Sequence, residues 1–215
     1  VASYLAPLGI KPVSRSIAAA GRGKIKVATT QQSAALNVSC EFTNMKADSE
    51  GAEAAGCDRV GIQVDSVTGS AAKIASIQVE GVRANAQRTA DGGLRFAGIE
   101  LAHVASSPPA TQPSEPLNYR IAIDDLSVRK AAFTFADSAA TPTAKLAFDV
   151  DDLSLKNIVL DPNDPTSTMQ IAAQMHAPGL TGAIAVNGSA MPSAVNKTAQ
   201  LKVNVQNIKP DALKP

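Results

Sequence analysis

Apolar and polar residues alternate in short runs along most of the chain, and the alternation slips at recurring places. In AKLAFDVDDLSLKN (144–157), Leu146, Phe148 and Val150 alternate with Lys145, Ala147 and Asp149, which puts them on one face of a strand. Leu153 then follows Val150 by three residues rather than two, and Leu155 continues from it. With a side-chain period of two, a three-residue step implies a change of face, so a β-bulge or a sharp bend is predicted at Asp151-Asp152. VSCEFTNMK repeats the slip, with Val38, Cys40 and Phe42 followed by Met45. LKVNVQNIK repeats it again, with Leu201, Val203 and Val205 followed by Ile208. Asn44, Asp152 and Asn207 precede the shifted residues, and Asn and Asp tolerate the backbone angles of bulges and tight bends. LRFAGIEL is a fainter copy, in which Ile99 follows Phe96 by three with Gly98 in the same slot.

The shifted residues Met45, Ile99, Leu153 and Ile208 lie 54, 54 and 55 residues apart, which reads as a repeat of strand units. A strand precedes each strong slip: GKIKVAT (23–29), AAFTFAD (131–137) and GAIAVNG (182–188). Polar loops (TTQQS, DSAATPT, NGSAMPSAVNKT) join each pair, as in antiparallel hairpins. A second phrase, I-x-x-[IL]-x-V, occurs as IASIQV (74–79) and IDDLSV (123–128) and contains its own three-residue slip. The predicted fold is mainly β: a curved antiparallel sheet of repeated hairpins, with one or two short helices, at residues 2–9 and in the terminal DALKP. The run SSPPATQPSEP (106–116) holds four prolines and reads as a long loop between halves 1–105 and 117–215 of a single module spanning 1–215.

Composition narrows the function. The chain has 215 residues, 45% hydrophobic and 18% charged, with a net charge of +1, so it is globular with nothing that attracts nucleic acid or an anionic surface. Five Phe, two Tyr and no Trp leave little for stacking on bases or sugars. No apolar run reaches the roughly 18 residues of a membrane-spanning helix. His103 and His176 stand apart from any nucleophile pattern, SAAK (70–73) and SVRK (127–130) match S-x-x-K without companion motifs, and LDPNDP (160–165) reads as a turn before a calcium loop. Cys40 falls in the slot that Phe148 and Val203 fill in the other copies, so it reads as a small core residue; a disulfide with Cys57 is the alternative. No catalytic or metal site and no cofactor is implied, and the chain is expected to be non-enzymatic.

The segments IASIQVEGVRANAQRTADGGLRFAGIEL, IAIDDLSVRKAAFTFADSAATPTAKLAFDVDDLSLKNIVL and LTGAIAVNGSAMPSAVNKTAQLKVNVQNIKPDALKP together resemble the AsmA-like superfamily of envelope proteins. The resemblance is closest to a branch filed as a domain of unknown function, beside the TamB- and YhdP-like repeating β-grooves. It includes a turn at Asp91-Gly92 and the G-x-[IL]-x-[VA]-x-G strand at 182–188. Ending at DALKP and beginning with SYLAPLG, the chain looks like a piece excised from a longer one. The resemblance implies a periplasmic, cell-envelope module with an apolar β-groove for lipid transport or outer-membrane biogenesis. Phospholipid acyl chains and neighbouring modules of the same chain would be its partners, and nucleic acid would not. The groove candidates are Leu146, Phe148, Val150, Leu201, Val203 and Val205. The alternative is a structural or adhesive β domain of a secreted protein with no lipid role, in which a second sheet covers that face.

Overall fold

Each alternating run becomes a strand. A computed structural model describes residues 10–12, 17–29, 36–49, 52–96, 99–101, 119–194 and 197–209. The strands are β1 (Ile10–Pro12), β2 (Ile17–Thr29), β3 (Leu36–Ser49), β4 (Ala52–Val67), β5 (Ala71–Glu80), β6 (Arg83–Arg88), β7 (Leu94–Phe96) and β8 (Ile99–Leu101). They continue with β9 (Arg120–Asp137), β10 (Ala144–Leu160), β11 (Met169–Ala177), β12 (Thr181–Met191) and β13 (Thr198–Gln206). All belong to one sheet, and no helix occurs among the described residues. The mainly β expectation holds. The two expected helices and the proline-rich loop 106–116 lie outside the described residues.

The hairpins expected at β2–β3, β9–β10 and β12–β13 form, with others between them. One junction departs from the antiparallel pattern. β5 and β6 are two parts of one line, interrupted at Gly81-Val82, and both run parallel to β9. This junction joins the strands before and after the proline-rich segment into the same sheet. Along the long axis the order is β2–β3–β4–β5–β9–β10–β11–β12–β13, while β6, β7, β8 and β1 branch off beyond β4.

The slips line up. Between Thr43↔Arg59 and Met45↔Cys57 the ladder passes over Asn44 and Asp58. Between Glu80↔Arg129 and Arg83↔Ala132 it passes over Gly81-Val82 and Lys130-Ala131, and between Arg129↔Asp152 and Ala131↔Val150 over Lys130 and Asp151. Asn44, Gly81 and Lys130 all have positive φ (51°, 68° and 54°). One extra residue per strand therefore forms a line across the sheet. At its two borders the neighbouring strand lacks the extra residue, and the register shifts there, at Ala20/Arg22 and at Val150/Asp152. A second line runs through Asp65, Ala75, Asp124 and Asn157, the last at φ 57°. It coincides with the slip inside the I-x-x-[IL] phrases.

These bulges correct the expected change of face. β11 runs without a bulge from Ile171 to Met175, so its residues 171, 173 and 175 share one face and serve as a ruler. Val150 pairs with Met175 and Leu153 with Ala173, so both lie on that face although three residues separate them. The bulge absorbs Asp151 and keeps the apolar side chains together. Several of the bulged residues are charged and ion-paired at the surface. Lys130 meets Glu80 at 3.0 Å, and Asp58 meets Arg83 at 2.7 Å. Lys73 reaches Asp65 and Asp124, each at 3.4 Å. The hydrogen bond with Asp124, then that with Asp65, raises the Lys73 ammonium above the ordinary lysine value. Gly81 is required where it stands, because its φ is positive and a Cβ would fall on the Asp58 carboxylate.

The even spacing of Met45, Ile99, Leu153 and Ile208 does not survive as structural equivalence. β3 and β10 run in opposite directions, since a parallel step separates them. Met45 pairs with Cys57 on the Val150 side of the first bulge line, whereas Leu153 lies level with Phe42 on the other. Ile208 follows Asn207, whose φ is 53°, just past β13, and Ile99 opens the three-residue β8. Repeated hairpins are real, but one module translated along the sheet is not what generates them.

Candidate functional site

Directly paired residues share a face, so the registers give the content of each face without further assumption. One row reads Ile25, Cys40, Ile62, Ile77, Leu126, Leu155, Ile171, Gly188 and Leu201 across nine strands. Two residues along each strand, the next row reads Gly23, Phe42, Val60, Val79, Val128, Leu153, Ala173, Val186 and Val203. Past the first bulge line come Ala131, Val150, Met175, Ile184 and Val205. Phe133 pairs with Phe148 and Ala84, and Phe135 with Leu146 and Ala86, whose other neighbour is Phe96. Four of the five phenylalanines thus collect at this end of the apolar face, with alanines opposite them to make room. The fifth, Phe42, lays its ring over Gly23, where a Cβ would sit 3.0 Å from it.

All six groove candidates lie on this face. Leu146, Phe148 and Val150 are in β10, near the middle of the sheet; Leu201, Val203 and Val205 are in β13, at its border. The sequence reading rests on the alternation that precedes the slip in these two strands. It missed that the neighbours continue the same rows, although Ile62, Ile77, Leu126 and Ile171 each alternate in their own segments. Val150 is 9% exposed and Val203 56%. Close backbone contacts between strands are those of hydrogen-bonded neighbours, and among the described residues no large side chain is fully buried. The face is a layer that the described strands do not cover with a second one.

The reverse face is polar. Lys24, Glu41, Gly61, Gln78, Ser127, Ser154, Ala172, Asn187 and Lys202 form one of its rows. Concavities open on this side. One of about 700 Å³ is lined by Ser154, Lys156, Gln170, Asn187, Ser189 and Lys202 among others. A second, of about 380 Å³, shares Ser154 and Lys156 with it, and a third, of about 190 Å³, shares Ser76 and Gln78 with the second. Ion pairs cross the same face: Arg59–Glu41 at 2.9 Å and Arg129–Asp152 at 3.1 Å. Arg83 is held by Glu53 and Asp58, whose hydrogen bonds push its pKa above the ordinary arginine value.

The residues considered for chemistry have structural partners. His176 lies between two carboxylates, with Nδ1 3.0 Å from Asp151 and Nε2 3.1 Å from Asp149; His103 lies outside the described residues. The lysines of the two S-x-x-K matches are the ion-paired Lys73 and Lys130. In the DPNDP turn, Asp161 accepts from the Asn163 backbone N–H and Asp164 from that of Thr166. Among the described residues no group of three or more His, Cys, Asp or Glu is arranged to hold a metal ion. Asp91 and Gly92 form the β6–β7 turn expected from the resemblance. Gly92 has φ 87°, and a hydrogen bond with Thr89 lowers the Asp91 pKa.

Cys40 departs from its expected burial: it is half-buried, since Ile25 and Ile62 beside it cover it only in part and no described layer lies over the face. Both thiols are free. Cys40 pairs with Ile62, five residues along β4 from Cys57, or roughly 16 Å, which no disulfide spans.

No protein-family model matches the chain, and no curated protein matches it significantly in sequence.

Proposed function

We propose that this chain is a non-enzymatic module of an AsmA-like protein in the bacterial envelope, and that acyl chains of phospholipids lie along its apolar face. The observation that carries this reading is the pair of adjacent apolar rows, each with a single glycine in it, that run across nine strands with no described layer over them. Apolar surface gains about 25 cal/mol per Å² when it leaves water, so a face of this extent acts as a binding surface. Fluid hydrocarbon suits it, because the rows are mostly aliphatic side chains, with phenylalanines at one end, and hold no convergent polar groups. Lipid transport or outer-membrane biogenesis in the periplasm, with further modules continuing the surface, is the setting this implies.

Photocrosslinking amino acids at Phe148 and Val203 test it in cells. The expected result is phospholipid adducts at both positions, lost in Phe148→Asp and Val203→Asp. Val203 lies on the border strand, so its variant stays folded and keeps the test informative if Phe148→Asp does not. Adducts to protein alone would instead support a structural or adhesive domain whose apolar face is covered by another protein layer. The opening of the described concavities on the polar side favours that second reading.

A further inference from the structure

We propose that the outer edge of β2 is a docking site for an extended strand in which apolar residues alternate with Asp or Glu. The inference does not require lipid binding, because it rests on the open edge of β2 and the side chains that β2 itself carries. β2 pairs with β3 on one side, and no described strand pairs with it on the other. Its outer backbone groups can therefore accept another strand by main-chain hydrogen bonding. Ile25 and Val27, 61% and 62% exposed, are the most exposed large apolar side chains among the described residues. They sit at the open end of the apolar rows, where an added strand would cover them.

Charge selects the occupant. Arg22, Lys24 and Lys26 alternate along the polar side of the edge, facing Thr43, Glu41 and Ser39 of β3. The one acid among these, Glu41, is held by Arg59 at 2.9 Å. Three cations with no ion pair among the described residues thus line about 13 Å of an open edge. An added strand places every second side chain beside them. A second β2 from another copy would set cation against cation, and β13 would bring Lys202, so neither end of the nine-strand run is the matching partner. An acidic, alternating strand satisfies both faces at once.

The test uses the 215-residue chain and two end-blocked, fluorescent nine-residue peptides, one alternating Val with Glu and one alternating Val with Lys. Saturable binding of the acidic peptide is expected, roughly tenfold or more tighter than the basic one and weakened by salt. The triple variant R22E/K24E/K26E should invert the preference. Lys26→Pro and Val27→Pro remove successive backbone N–H groups, of which one points outward and one toward β3. Whichever variant keeps the wild-type melting behaviour should lose the peptide. Equal affinity for both peptides, no binding of either, or undiminished binding to the folded proline variant would overturn the proposal and leave the cations as guards of an exposed edge.

Discussion

Val150 and Val203 are the same residue type on the same face of the same sheet, yet one is 9% exposed and the other 56%. Val150 lies in β10 with Ala131 on one side and Met175 on the other. Val203 lies in the border strand β13 and has only Val186 beside it. With one layer of strands, a side chain is covered mainly by its lateral neighbours. At the level of these two valines the middle of the sheet therefore carries more of the stability, and the border exposes more apolar surface to a partner.

The largest expected effect comes from charging the middle. Val150→Asp should lower the unfolding free energy by about 3 kcal/mol or more, because a carboxylate there has no partner and little water. Val203→Asp should change it by less than about 0.5 kcal/mol, since the new charge stays hydrated. Urea denaturation of the two variants checks both, and equal losses would remove the distinction between middle and border. Next is the bulge line: Gly81→Ala should cost about 1–3 kcal/mol, through its positive φ and the contact with Asp58. Deleting the neighbouring charge with Asp58→Ala should recover part of that loss in the double variant.

A smaller effect is expected at the surface pairs. His176→Gln should cost under about 1 kcal/mol, since His176, Asp149 and Asp151 are all partly exposed. The smallest difference is chemical: with both thiols free and neither fully buried, Cys40 and Cys57 should each react with maleimide in the native protein. Mass spectrometry of the labelled chain would show it. A covering on the apolar face, whether lipid or protein, should slow Cys40, which lies in the row between Ile25 and Ile62.

Much of this was legible in the chain itself. Alternation marked β3, β9, β10, β12 and β13, and Asn44 and Asn207 marked positions where φ turns positive, whereas Asp152 stays in the ladder beside the bulged Asp151. Two features misled. The three-residue step at Val150–Leu153 looked like a change of face, because strand periodicity alone makes no allowance for an extra residue taken up by a bulge. The even spacing of Met45, Leu153 and Ile208 looked like a translated module, because spacing carries no information about strand direction.

The sequence by itself determined which residues are apolar at alternate positions, which positions permit positive φ and, from these, a mainly β chain of hairpins. Those are local properties, set by side-chain chemistry and backbone sterics within a few residues. Only the tertiary structure decided that β5 and β6 run parallel to β9, that the bulges fall into lines, and that nine strands pool their apolar residues on one face. These depend on which strands become neighbours and at what register, and pairing between strands distant along the chain is chosen by the fit of whole faces rather than by any single segment.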